Sequence, residues 1–106
     1  VERLHVAAGF ATASEAFAAL DAGAQALKLF PATTYGSGHV KALRAVLPPV
    51  PLFAVGGITP ANLADYLAAG CLGAGLGGDL YKPGQPVART AETARAFVNA
   101  YREATA

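Results

Sequence analysis

The chain has 106 residues, 54% of them hydrophobic, with no Met, no Trp and one Cys, which is enough for one domain. Eight basic and seven acidic residues are spread along it for a formal charge of +1, so the clustered basic patch of a nucleic-acid surface is excluded. No uninterrupted apolar run reaches the roughly 18 residues of a membrane span, and the lone Cys71 permits no internal disulfide. With no signal-peptide pattern in view, a reducing cytoplasm is the default setting, and Cys71 reads as a small buried hydrophobe.

In chain order, Leu4–Ala8 is a candidate strand, and Gly9-Phe10-Ala11 turns into a helix. Thr12 with Glu15 matches a capping box, in which each side chain bonds the other's backbone amide. The helix is predicted to run to about Ala22, stopped by Gly23, with Phe17 and Leu20 on its core face. The stretch Ala26–Ala32, ALKLFPA, follows. Its apolar run closed by Pro31 suits a buried parallel strand over Ala26–Phe30. Alternation puts Ala26, Lys28 and Phe30 on one face and Leu27 and Leu29 on the other. A desolvated lysine shifts towards the neutral amine, a nucleophile for ketones. The alternative is a strand-end lysine whose ammonium reaches solvent or a carboxylate.

Ala32–Gly38 reads as a polar loop, either substrate-side or a plain connection. Val40, Leu43, Val46 and Leu47 show helical spacing that Pro48-Pro49 ends. Pro51–Val55 is the third strand, followed by Gly56-Gly57. Thr59 is placed as an N-cap with Pro60 at the first helical position. Leu63, Tyr66 and Leu67 form the buried stripe, and Gly70 the stop. Leu72–Leu76 is a glycine-rich fourth strand, Gly77-Gly78-Asp79 opens the next loop, and a last helix starts at Thr90 with Ala94, Phe97, Val98 and Tyr101 inward. An echo supports a repeat: AALDAGAQALKLF and DYLAAGCLGAGLG both run helix end, Ala-Gly, strand. Four β/α units imply a parallel α/β sheet with right-handed crossovers, either an open sandwich or part of a barrel. Gly56-Gly57 and Gly77-Gly78, each after a strand, either serve turns or let backbone amides approach an anion. His5 and His39 belong to no cluster with metal-ligand spacing.

Three stretches, KLFPA at Lys28–Ala32, VGGITP at Val55–Pro60 and GLGGDLY at Gly75–Tyr81, together resemble the 2-keto-3-deoxy-6-phosphogluconate and -galactonate aldolases, the galactonate branch more closely. The resemblance runs from about Val6 to the C-terminus. It implies a (β/α)₈ barrel, and since such a barrel needs about 200 residues, residues 1–106 are expected to be its C-terminal half. The start at Val1 without Met fits a chain whose N-terminal half lies elsewhere. It also implies a class I aldolase that needs no cofactor or metal and cleaves 2-dehydro-3-deoxy-6-phosphogalactonate to pyruvate and glyceraldehyde 3-phosphate, with a homotrimer as the family's assembly.

Carried over residue by residue, the resemblance makes Lys28 the Schiff-base lysine and Phe30 the packing partner of the pyruvyl end. Gly56, Gly57, Gly77 and Gly78 become the phosphate cradle, in the loops after barrel strands seven and eight. Val55 is the family's C4-stereochemistry position, valine in the phosphogalactonate branch and threonine in the phosphogluconate branch. The family's usual serine is replaced by Gly78, so weakened phosphate binding is expected. The family's general acid/base glutamate has no match in this chain; Glu15 is better explained as a cap. The fragment alone is therefore expected to show little turnover, with its sheet edges needing the other half or self-association. The alternatives are the 6-phosphogluconate epimer as substrate, another phosphate-binding barrel enzyme such as an isomerase or a thiazole- or indole-pathway synthase, and a non-catalytic half-barrel.

Overall fold

The computed structural model describes residues 4–106. Four parallel strands, β1 (Ala7–Phe10), β2 (Ala26–Leu29), β3 (Leu52–Val55) and β4 (Gly73–Gly75), lie in the order β1-β2-β3-β4. Helices α1 (Ala13–Asp21), α2 (Ala32–Tyr35), α3 (Ser37–Val46), α4 (Leu63–Ala69) and α5 (Val87–Thr105) alternate with them. The expected four β/α units are all present. The sheet has two edges, β1 and β4, and one face that no helix of the described residues covers.

The core lies between the sheet and its helices. Leu27, Leu29, Leu52, Ala54 and, from the neighbouring segments, Val40 and Ile58 have no or almost no solvent contact. Each such leucine, valine or isoleucine side chain stabilises the fold by about 1.5–3 kcal/mol relative to exposure. Phe10, Leu43, Leu63, Tyr66 and Phe97 complete this layer, and Cys71 is buried within it as expected, its thiol pushed up to about 11 by that burial. At the opposite end of the strands from the loops described below, Arg44 joins two connections by donating Nε–H to the Gly70 carbonyl (3.1 Å) and Nη2–H to the Val50 carbonyl (2.6 Å).

Several boundaries move from their predicted places. The first strand is Ala7–Phe10 rather than Leu4–Ala8. Phe10 is buried under the helices, which draws the strand forward, whereas Leu4 is held only by the Gln25 side chain, and Val6 by that side chain together with the Gln25 and Ala26 amides. The capping box at Thr12 and Glu15 forms, but Phe17 is exposed; Ala16 takes the core position. Residues 32–38 are not a loop: Ala32–Tyr35 coil into α2 because Ala32 is fully buried and its carbonyl accepts from the Tyr66 hydroxyl. In α3, Val40 and Leu43 face inwards while Val46 faces solvent.

Thr59 does cap, but a separate turn. Its Oγ1 accepts from the Asn62 amide (3.2 Å) and its amide donates to Asn62 Oδ1 (2.8 Å), and α4 proper begins only at Leu63. The fourth strand shrinks to Gly73–Gly75, and α5 begins at Val87, with Pro86 as its cap, instead of at Thr90. Phe97 is buried, whereas Val98 and Tyr101 are exposed and line a groove of about 230 Å³ with Leu63, Leu76 and Phe97 beside edge strand β4. No helix of the described residues is long and apolar enough to cross a membrane.

Candidate active site

Strand alternation sorts the sheet into two chemically different faces. Leu27 and Leu29 point to the helices; Lys28 points to the uncovered face and is exposed. The register aligns Gly9, Lys28, Phe53 and Gly73 in one row across all four strands. Neither glycine adds a side chain, so the row presents one amine beside one half-buried aromatic ring. A Cβ at Gly9 would meet nothing within 4 Å, and one at Gly73 would meet the Phe53 ring at 3.5 Å. Lys28 is thus flanked by open space on the β1 side and by Phe53 on the β3 side.

The expectation of a desolvated Lys28 is corrected by this geometry. The amine stands on the concave side of an open sheet, with no covering layer among the described residues. Phe30 is also 58% exposed. It does share the Lys28 side, but its ring leans towards the third-strand loop: a Cβ at Gly56 would meet Phe30 Cδ1 and Cε1 at 3.2 Å.

One row further along the strands, about 7 Å by strand rise, Val55 pairs with Gly75. A Cβ at Gly75 would come within 2.9 Å of Val55 Cγ2, so Gly75 is what leaves room for the valine side chain on this face. Beyond that row the two strands run out together into Gly56-Gly57 and Gly77-Gly78. The register therefore brings both predicted glycine pairs to one rim.

The rim is built by polar residues that sequence reading passed over. Thr33 donates both its amide and its hydroxyl to the Gly56 carbonyl, each at 3.2 Å, and Asn62 Nδ2 donates to the Gly57 carbonyl at 3.0 Å. With both carbonyls taken from the helix side, the peptide units of this turn are fixed. Gly56 (φ 105°) and Gly57 (φ 74°) adopt the left-handed region that glycine accepts without strain. A Cβ at Gly57 would collide with Thr33 Oγ1. In the second loop, the Gly77 carbonyl accepts from the Leu80 (2.9 Å) and Tyr81 (3.0 Å) amides. Among the described residues, the amides of Gly57, Gly77, Gly78 and Asp79 donate to no carbonyl or side chain. Unpaired amides gathered at a loop rim are what an oxyanion requires. The only sequence signal for Thr33 and Asn62 was their place in loops after strands.

The remaining candidates are structural. Glu15 Oε1 accepts from the Ala11 and Thr12 amides (3.1 and 3.0 Å), which hold its carboxyl below the ordinary carboxylate range. The expectation that it serves as a cap therefore stands. His39 donates Nε2–H to the Ala11 carbonyl at 2.6 Å and stacks on Tyr35. No group of three metal-ligating side chains occurs among the described residues.

The family model described as KDPG and KHG aldolase matches residues 1–90. The chain belongs to the KDPG and KHG aldolase family. Within it, the chain is 63% identical over 100 residues to the 2-dehydro-3-deoxy-6-phosphogalactonate aldolase of Escherichia coli (strain K12), covering 93% of this chain and 49% of that protein. A solved structure described as native KDPGal superimposes with a TM-score of 0.94 at 61% identity, over 96% of this chain and 50% of that one. A designed cube-shaped, porous protein cage made by fusing symmetric oligomeric domains matches equally well, with a TM-score of 0.94 at 61% identity over 96% of this chain and 38% of the cage chain. The chain spans about half the length of the curated relatives it matches. The α/β fold with its parallel sheet is accordingly that of a KDPG and KHG aldolase barrel, of which these four β/α units are about half. That accounts for the open face and the exposed lysine: in a closed barrel the concave side is the interior.

Proposed function

We propose that this chain is the C-terminal half of a class I aldolase that cleaves 2-dehydro-3-deoxy-6-phosphogalactonate to pyruvate and glyceraldehyde 3-phosphate. The observation that carries the reading is the placement of one amine, Lys28, two rows below a rim of unpaired glycine amides on the same concave face. A phosphorylated keto acid of six carbons has its ketone and its phosphate at opposite ends, as this arrangement would require.

In the complete barrel the Lys28 amine, once neutral, attacks the C2 ketone and water leaves, forming an iminium. The iminium withdraws electrons, so removal of the C4 hydroxyl proton breaks the C3–C4 bond and releases glyceraldehyde 3-phosphate. The enamine left on Lys28 takes a proton at C3, and hydrolysis frees pyruvate and restores the amine. The base for the C4 hydroxyl comes from the half preceding this one. Phe30 packs at the pyruvyl end, and the Gly56-Gly57 and Gly77-Gly78 amides hold the phosphate. Val55, between the amine and the rim, offers methyl groups and no hydroxyl near C4, which favours the phosphogalactonate over its phosphogluconate epimer by about 1 kcal/mol, the worth of one hydrogen bond.

The other half of the barrel is the partner this reading requires, with a cytoplasmic homotrimer as the assembly. The structural match to a cage assembled from symmetric oligomeric domains supports self-association of such barrels. Borohydride reduction in the presence of pyruvate tests the chemistry. The complete barrel carrying this half is expected to gain one pyruvyl adduct on Lys28, seen by peptide mass, and none in Lys28→Met. Failure of wild type to form the adduct would leave a barrel that binds phosphate without Schiff-base chemistry.

A further inference from the structure

The glycine rim supplies amides but no full charge, and a phosphate monoester carries up to two negative charges. A dianion held by amide dipoles alone, on a rim open to water, is weakly held. A cation that would complete the site lies beside Gly78. A Cβ at Gly78 would have one neighbour outside the adjoining residues, Lys82 Cε at 3.7 Å. The lysine is four residues on, after the Gly77–Tyr81 turn has reversed the chain. Its aliphatic stem lies back across Gly78, and its ammonium is one bond beyond the atom in contact.

The loop that sets this geometry is pinned at several points. Leu80 and Tyr81 donate to the Gly77 carbonyl, the Gln85 amide donates to the Lys82 carbonyl at 3.0 Å, and Gln85 Nε2 donates to the Leu80 carbonyl (2.9 Å) and to Thr90 Oγ1 (2.7 Å). Gln85 thus ties both sides of Lys82 to the start of α5, so the lysine backbone has a fixed position relative to Gly78. The side chain lines a cleft of about 550 Å³ with Gly78, Asp79, Gln85 and Arg89. Two cations and one carboxylate give that cleft a net positive charge. Arg89 sits on α5 and has no atom within 4 Å of a Cβ built at Gly77 or Gly78, whereas Lys82 Cε lies within that distance at Gly78.

We infer that Lys82 is a phosphate-binding residue, its ammonium folding over Gly78 to supply the charge that the Gly56-Gly57 and Gly77-Gly78 amides lack. This deepens the phosphate site proposed above and rests on it. A Cβ at Gly78 would meet the lysine stem only at ordinary van der Waals distance, so the crossing leaves room for a small side chain there. Asp79 limits the effect, because its carboxylate shares the cleft and repels an anion.

The test is a titration of the full chain with inorganic phosphate at low ionic strength, followed by the backbone amide NMR signals of Gly57, Gly77 and Gly78. Lys82→Met should weaken binding by about two- to fivefold, the range for an exposed charge pair, and that difference should shrink as salt is added. Lys82→Arg should retain wild-type affinity, and Arg89→Met should change it less than Lys82→Met does. Lys82 is exposed, so the variants keep the wild-type spectrum away from the rim. Equal affinity in Lys82→Met and wild type, with the glycine signals still shifting, would overturn the role of Lys82 and leave the amide site standing. A wild type whose glycine signals ignore phosphate would overturn both. Pyruvate trapping on Lys28 is independent of either result, because pyruvate carries no phosphate.

Discussion

The two faces of the one sheet differ in nearly everything. The face towards the helices is closed by Leu27, Leu29, Leu52 and Ala54, none of which touches water. The other face carries Lys28, Phe53, Val55 and three glycines, and lies open. Both come from the same strands, one residue out of phase. The closed face holds the chain together; the open face carries Lys28 and Val55 among the candidate residues, with the glycine pairs in the loops beyond it. Strand alternation therefore separates the buried core residues from the candidate site residues at single-residue resolution.

The largest expected effect comes from exchanging the roles of neighbours. Leu29→Ala removes a fully buried side chain and should cost roughly 2–5 kcal/mol in urea unfolding. Lys28→Met, one residue away, should change stability by less than about 0.5 kcal/mol while abolishing the pyruvate adduct in the complete barrel. A large loss of stability in Lys28→Met would mean that the open face supports the fold after all.

The rim joins the two faces and should respond as both. Gly57→Ala meets two obstacles: a φ of 74° and the Thr33 hydroxyl. A loss on the order of 1–3 kcal/mol is expected, together with weaker phosphate binding. Adding Thr33→Ala removes the collision but not the strain, so the double variant should recover only part of the loss. Full recovery would show that the left-handed backbone at Gly57 costs alanine nothing here.

How much of this was legible in the sequence follows the same division. Apolar alternation in ALKLF and LFAV located the strands, and both faces of β2 were assigned correctly, because a strand buried against helices must repeat every second residue. The capping box was legible because Thr12 and Glu15 satisfy each other locally. The start of β1 was not: Phe10 belongs to the strand only because helices cover it. Helix α2 was hidden because a buried Ala32, hydrogen-bonded to Tyr66 thirty-four residues on, outweighs the loop character of its polar neighbours. The glycine pairs were legible as motifs. The hydrogen bonds of Thr33 and Asn62 were not, since each acts across a turn or between loops; Lys82 reads from the sequence as a solvated lysine or an aid to the phosphate, and only the fold sets it beside Gly78. Lys28, Val98 and Tyr101 are exposed, and local spacing alone does not separate an exposed position from a buried one on the same stripe.

The smallest effect concerns the closed side, where α1 starts. Glu15 accepts two backbone amides and the Thr12 hydroxyl, which favour its charged form and lower its pKa from the ordinary 4.5. A carboxyl with a folded-state pKa below its unfolded one contributes stability above the unfolded value, and loses it as the pH falls through the folded value. Wild type should therefore gain stability over Glu15→Gln above about pH 4.5, and the two unfolding curves should converge below it. Gln keeps a hydrogen-bonding side chain at the same place, so the comparison isolates the charge. Glu15 is fully exposed, so added salt should narrow the gap at neutral pH. The same substitution should leave both phosphate binding and the pyruvate adduct unchanged, because the cap follows edge strand β1, whereas the glycine pairs follow β3 and β4. A loss of adduct in Glu15→Gln would instead make this carboxylate part of the chemistry and blur the separation of the two faces.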